Sequence, residues 1–218
     1  MNSITISKLL PNVFRGVEKE PPVCDSQLWL KDFVFEKGKF YLIVAESGTG
    51  KSSLCSFIYG NRSDYQGLIR FDDDDIRGFD IARWCDIRRH SVALLPQEMR
   101  LFPELSAFEN ILIKNNLTNH KSEAEIHQMM TQLDIDEKAE TPVAFLSIGQ
   151  QQRVAIIRTL CQPFDFLILD EPVSHLDARN NAIVAHLVVD EARKQNAGLI
   201  ATSVGNHLSF NSNFIINL

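Results

Sequence analysis

The chain has 218 residues, 44% hydrophobic and 23% charged, enough to bury a sizeable core in one large domain or in a core with an inserted subdomain. Its formal net charge of −6, with Arg88-Arg89-His90 as the one compact basic cluster, argues against a nucleic-acid surface. No apolar run reaches the roughly 18 residues that span a bilayer, the start, broken up by Asn2, Ser3 and Thr5, has no signal-peptide pattern, and Cys24, Cys55, Cys85 and Cys161 read as free thiols of a reducing cytoplasm.

Ile4-Thr5-Ile6 alternates like the start of a strand and leads to Leu9, Leu10 and Val13-Phe14. Residues 16–25, with Pro21-Pro22 and several charges, read as a loop or a hairpin tip. β character resumes at Leu28-Trp29-Leu30 and Phe33-Val34-Phe35, and Lys37-Gly38-Lys39 turns into Phe40-Tyr41-Leu42-Ile43-Val44. That apolar run stops at Ala45-Glu46-Ser47-Gly48-Thr49-Gly50-Lys51-Ser52-Ser53, after which Leu54, Phe57 and Ile58 recur at helical spacing. Strand, Gly-rich loop and helix, in that order, are the context of a Walker A phosphate loop. Successive backbone N–H groups around residues 47–50 can wrap an anion, and the helix N-terminus adds its unpaired donors and its dipole. Lys51 would reach the β- and γ-phosphates of a nucleotide, and the Ser52 hydroxyl would hold Mg²⁺. Ala45 stands where the G-x-x-x-x-G-K-[ST] pattern has its first glycine; a methyl fits there if φ stays negative.

Residues 60–67 are turn-rich, and Leu68-Ile69-Arg70-Phe71 follows as a short strand. Asp72-Asp73-Asp74-Asp75 lacks any His or Cys beside it, and adjacent side chains cannot all point at one ion. It reads as a solvated hairpin turn rather than a metal site. Val92-Ala93-Leu94-Leu95 is a buried strand ending at Pro96-Gln97, and from 101 to 146 the pattern turns helical, marking an inserted subdomain. There Ser122 and Glu125 make a capping box, and Ile126, Met129, Met130 and Leu133 form one apolar stripe of core residues. A second helix covers 150–160, Phe166-Leu167-Ile168-Leu169 is an apolar strand, and Ile183, Val184, Leu187 and Val188 mark an amphipathic helix. Leu199-Ile200-Ala201-Thr202 and Phe214-Ile215-Ile216-Asn217-Leu218 supply two last strands. Strands alternating with helices predict a mostly parallel α/β sheet, with no internal repeat.

Four further stations accompany the phosphate loop. Leu169-Asp170-Glu171 ends an apolar strand, so two carboxylates emerge at the C-terminal edge of the sheet, where α/β folds bind ligands. One can hold the water shell of Mg²⁺ while the next polarises an attacking water. Leu146-Ser147-Ile148-Gly149-Gln150-Gln151-Gln152-Arg153 puts Ser and Gly just before a helix, a second anion-accepting N-terminus. Gln97 follows a strand, and Ser174-His175-Leu176-Asp177 follows the paired carboxylates.

In this order the motifs resemble the nucleotide-binding subunit of ABC transporters over nearly the whole chain. They match its Walker A (residues 45–52), Q-loop (Gln97), signature (Leu146-Ser147-Ile148-Gly149-Gln150), Walker B (166–170, followed by Glu171) and D-loop (174–177). The run Arg88-Arg89, Leu94-Leu95-Pro96-Gln97, Phe102-Pro103 and Glu109-Asn110 looks most like the lipoprotein-release and cell-division branch. The resemblance implies a P-loop NTPase α/β fold with an N-terminal antiparallel β subdomain and an inserted α-helical subdomain. All 218 residues would form one ATPase domain, its core and β subdomain in 1–96 and 160–218, its helical part in about 97–159. It also implies ATP hydrolysis by a head-to-tail homodimer, each ATP lying between one subunit's phosphate loop and the other's signature. Ala45, Glu46, Ser47, Gly48, Thr49, Gly50, Lys51, Ser52 and Ser53 would bind ATP, and Ser52, Gln97 and Asp170 would serve Mg²⁺. Ser147, Gly149 and Gln150 would face the nucleotide across the interface, beside the D-loop Asp177. Glu171 would be the general base and Gln97 the sensor of Mg²⁺ and the γ-phosphate. Phe14 sits about where the family places an adenine-stacking aromatic, the alternative being a core residue. The partner implied is a separate membrane permease, which would hold the chain at the cytoplasmic face of the membrane. Met99, Leu101, Phe102 and Leu105 lie where it would dock, unless they fill the helical core.

Two positions depart from the family. Ile148 replaces the usual signature glycine, and Ser203 stands where the switch histidine is expected, with His207 four positions on. A serine donor is shorter and carries no charge, so slow hydrolysis is expected, with Ser203 or His207 filling the role. The leading reading is a motor subunit that hydrolyses ATP, which Glu171 favours. The alternative, favoured by Ser203 and Ala45, is a regulatory or structural module that binds ATP and hydrolyses it poorly. A DNA-repair ATPase comes third, because no long coiled coil interrupts the chain.

Overall fold

Two β-sheets sandwich one apolar layer in the computed structural model, which describes residues 1–205 and 207–218. The first is antiparallel, in the order β2 (Asp32–Glu36), β1 (Ser3–Pro11), β4 (Tyr65–Phe71), β5 (Asp74–Asp75). β1 buries Ile4 and Ile6 while Ser3, Thr5 and Ser7 stay partly exposed, the alternation of a sheet with one face on the core. Its pairing with β4 slips between Ser7 and Leu10. Gly67 faces that slip at φ 87°, and a Cβ there would lie 2.3 Å from the Lys8 carbonyl oxygen, so only glycine fits.

The second sheet is wholly parallel, in the order β6 (Val92–Leu95), β7 (Phe166–Asp170), β8 (Gly198–Ser203), β3 (Phe40–Val44), β9 (Phe214–Asn217). Every residue of β7 and β8 is buried, as expected for central strands covered on both faces. Successive residues of β3 point to opposite sides. Tyr41 and Ile43 join the layer shared with the antiparallel sheet and α1 (Lys51–Ile58), whereas Phe40 and Leu42 join the layer built with the later helices. Those helices are α3 (Ala107–Asn115), α4 (Glu123–Gln132), α5 (Ile148–Leu160) and α6 (Ala178–Lys194). Ser106, Ser122 and Ser147 start α3, α4 and α5 with reciprocal capping boxes, and Ile126, Met129, Met130 and Leu133 are all buried. The fold is the α/β arrangement of parallel and antiparallel sheets that the motifs imply.

Three local expectations change. Leu28-Trp29-Leu30 is a turn, not a strand: the Ser26 hydroxyl accepts the N–H of Leu28 (3.0 Å) and of Trp29 (2.8 Å), Leu30 sits at φ 59°, and β2 starts only at Asp32. A local side-chain acceptor there outcompetes β propensity. β4 begins at Tyr65, inside the stretch read as turn-rich. A further helix, α2 (Ile81–His90), packs only Trp84 and Ile87 against the core, both partly buried, which is too narrow an apolar face to read as a helical period. Asp72-Asp73-Asp74-Asp75 does form a hairpin, and its carboxylates diverge: Asp72 accepts from the N–H groups of Asn2 and Ser3, Asp74 pairs with Arg83, and Asp75 accepts the Arg77 N–H.

Candidate functional site

β3 runs straight into the glycine-rich loop and the loop into α1, so the first-turn N–H groups of a helix face the C-terminal edge of the parallel sheet. Gly48 and Gly50 take φ 85° and 100°, while Ala45 keeps a negative φ that its methyl tolerates. Thr49 braces the turn by donating its hydroxyl to the Glu46 carbonyl (2.9 Å). Lys51 is buried, and its ammonium folds back onto the carbonyls of Ala45 (3.1 Å) and Glu46 (2.6 Å). Its Nζ also lies 3.9 Å from the Glu171 carboxylate. Burial lowers the Lys51 pKa, and the neighbouring charges of Glu171 and Asp170 partly restore it.

Val13, Phe14, Ser47, Gly48, Gly50, Lys51, Ser52, Ser53, Gln97 and Glu171 enclose a single cleft of about 290 Å³. Phosphate loop, Q-loop glutamine and the carboxylate after β7 thus meet in space, although Gln97 is 74 residues from Glu171. The Gln97 amide donates to Glu171 (3.3 Å), and its oxygen accepts from the Ser52 hydroxyl (3.5 Å). Asp170 is buried and accepts the Thr202 hydroxyl (2.7 Å), whose oxygen in turn accepts the Glu171 N–H (3.1 Å). Ser52, Gln97 and Asp170 offer hard oxygen donors, the set that Mg²⁺ prefers.

The other predicted residues lie elsewhere. Ser147, Gly149, Gln150 and Asp177 do not line the cleft. Ser147 accepts the Gln150 N–H at the start of α5, and the Gln150 amide oxygen accepts the Ser147 N–H (2.9 Å), so the two form a cap at an exposed helix end. Asp177 caps α6: its carboxylate accepts the Asn180 N–H (2.8 Å), which lowers its pKa. Ser203, expected to donate into the cleft, is only 1% exposed. Its hydroxyl instead meets Nδ1 of His207 at 2.7 Å, so the two residues proposed for one role touch each other. Of the apolar group after Gln97, Met99 is buried, Leu101 is partly buried in the helical core, and Phe102 is exposed. Asn110 holds Phe102 by both its N–H (2.8 Å) and its carbonyl (3.0 Å).

Three residues that spacing did not single out also shape the site. Gln152, inside the signature run, donates to the Glu171 carbonyl (3.3 Å) and accepts the His175 N–H (3.1 Å), tying α5 to the segment after β7. Thr202 is the penultimate residue of β8, beside β7, so its pairing with Asp170 needs the sheet order to be seen. Trp29 donates its indole N–H to the Thr49 carbonyl (3.0 Å) from a turn that no pattern marks.

A family model described as "ABC transporter" matches residues 31–174. The ABC transporter ATP-binding protein YclH of Bacillus subtilis is 33% identical over 170 residues, covering 76% of this chain and 74% of that protein. The lipoprotein-releasing system ATP-binding protein LolD of Zymomonas mobilis is 28% identical over 175 residues, 78% of this chain and 75% of that protein. Among solved structures, the dimeric structure of MJ0796, a bacterial ABC transporter cassette, superposes with a TM-score of 0.80 at 21% identity, over 98% of this chain and 94% of that one.

Proposed function

Because this chain belongs to the ABC transporter family as an ATP-binding domain, we propose that it binds ATP in the cleft at residues 45–53 and hydrolyses it as the motor of a membrane complex. The observation that carries this reading is the single cleft shared by the phosphate loop, Gln97 and Glu171. Backbone N–H groups of the loop and the Lys51 ammonium hold the phosphates, and Lys51 exchanges the loop carbonyls for phosphate oxygens when nucleotide enters. Glu171 takes the proton of the attacking water, and Gln97, already bonded to both Ser52 and Glu171, orients that water and the γ-phosphate. Mg²⁺ held by Ser52, Gln97 and Asp170 would neutralise phosphate charge. Phe14 and the neighbouring exposed Val13 give the adenine an apolar wall.

The exposed Ser147 end of α5 calls for a second copy. Its helix N-terminus is a ready anion site that the cleft of its own chain does not use. ATP therefore joins two chains head to tail, and Glu171→Gln tests both halves of the reading. That variant should keep ATP affinity, lose turnover by about a thousandfold as expected for a missing general base, and double its mass in light scattering with Mg-ATP. Full turnover in the variant, or no ATP affinity in the wild type, would sink the proposal.

The membrane partner docks on the exposed Phe102 and on a further cavity of about 230 Å³ lined by Leu94, Pro96, Arg100, Ile113, Lys114 and Arg158. Among the described residues no helix is long and apolar enough to cross a membrane. A second reading, an ATP-binding regulatory module with weak hydrolysis, draws on the contact between buried Ser203 and exposed His207. Steady-state hydrolysis with and without the co-expressed membrane protein separates the two: stimulation supports the motor.

A further inference from the structure

We propose that Trp29 is a positioning residue of the phosphate loop: by holding the Thr49 carbonyl, its indole N–H aims the Gly50 N–H at the bound phosphates. The proposal rests on the reading of residues 45–53 as the ATP site. Trp29 is fully buried, and the indole has a single donor, which it spends on the Thr49 carbonyl at 3.0 Å. A trans peptide is planar, with its C=O and N–H pointing in opposite directions. Fixing the Thr49 carbonyl on the indole therefore turns the Gly50 N–H to the other side of the same peptide, away from the core and toward the cleft that Gly50 and Lys51 line.

That orientation is not secure without a partner. The peptide is flanked by Gly50 at φ 100°, and turns differing only by rotation of one central peptide are common where a glycine follows. Rotation here would present a carbonyl oxygen to an anion in place of a donor. It would also leave the indole N–H buried and unpaired, so the tryptophan opposes it. The indole is itself held by the scaffold. Ser26 accepts the Trp29 N–H, Leu30 donates to the Leu9 carbonyl, and Lys8 donates to the Lys31 carbonyl, binding the turn to β1 on both sides. Gln27 exchanges two further bonds with Asn217 of β9. The approach is close: a Cβ on Gly50 would lie 2.9 Å from the Trp29 ring and 3.3 Å from the Phe14 ring. Phe14, at the base end of the cleft, and Trp29, beneath its phosphate end, thus meet at one glycine.

A tryptophan present only for packing needs its volume and not its N–H, and this difference supplies the test. Calorimetry would measure ATP and inorganic pyrophosphate binding to wild type, to Trp29→Phe, and to protein carrying 3-benzothienylalanine at position 29, which keeps the ring shape but has sulfur in place of N–H. The isostere should weaken ATP and pyrophosphate alike by about tenfold, the worth of one buried hydrogen bond, and because the bond already exists without nucleotide the melting temperature of the nucleotide-free protein should fall as well. Unchanged affinities in the isostere would overturn the proposal. So would weakened ATP with undiminished pyrophosphate, which would mean that Trp29 acts through Phe14 at the base. If Trp29→Phe fails to fold, the isostere decides alone. If the wild type binds neither ligand, the ATP-site reading falls and the proposal falls with it.

Discussion

β3 and β8 lie side by side in the parallel sheet, Val44 opposite Ser203, and both release their loops at the same edge. The first loop turns on two glycines with positive φ and presents its backbone to the cleft. The second folds its leading side chain away: Ser203 is buried against His207, and Asn181 of α6 clamps the segment by the His207 carbonyl (2.7 Å) and the Ser209 N–H (3.0 Å). What β8 delivers to the site is Thr202, one residue earlier, whose hydroxyl holds Asp170. Successive side chains of a strand point to opposite faces, so Thr202 and Ser203 cannot both face the carboxylates. A donor at the end of a strand is chosen by parity as much as by residue type.

The contrast breaks first at Lys51. If the glycine loop binds phosphate through backbone and cation together, Lys51→Ala should weaken ATP by about a hundredfold or more, as for a buried charge-assisted bond. Calorimetry that found affinity retained would show the backbone sufficient by itself. Thr202→Val tests the β8 half. It leaves Asp170 buried without its hydroxyl partner, so stability should fall by about 1–3 kcal/mol in urea melts, with turnover falling alongside. An unchanged melt would mean that Thr202 is incidental.

The Ser203–His207 pair comes next. Ser203→Ala and His207→Ala should each slow hydrolysis by a few fold, with the double variant no slower than either, because contacting residues are not additive. Additive losses would show two separate roles at the two positions. The smallest effect distinguishes buried Lys51 from the half-buried Lys114. Lys51 has Glu171 and Asp170 beside it, whereas Lys114 has Arg158, Arg88 and Arg89, and burial together with those charges lowers its pKa from 10.5 to about 8. Between those two values the unfolded chain binds the more protons, so stability should rise with pH across that window. Lys114→Met should flatten the rise; an equal slope in both proteins would remove Lys114 as its source.

Residue pattern by itself determined the strand–loop–helix of residues 40–58, the capping box of Ser122 and Glu125, the stripe through Met129 and Met130, and the apolar strand ending at Asp170. Each is a local arrangement in which spacing along the chain equals spacing in the fold, so periodicity and glycine placement suffice. Helix α2 escaped because only Trp84 and Ile87 pack against the core, and the Trp29 turn escaped because Ser26, not an apolar period, makes it. Only the tertiary structure decided that Gln97 reaches Glu171, that Thr202 rather than Ser203 serves the carboxylates, and that the signature helix opens away from its own cleft. Those facts depend on strand order and on which face of a strand a residue takes. A one-residue shift reverses the face without altering composition, and partners across a sheet are set by the packing of segments far apart in the chain.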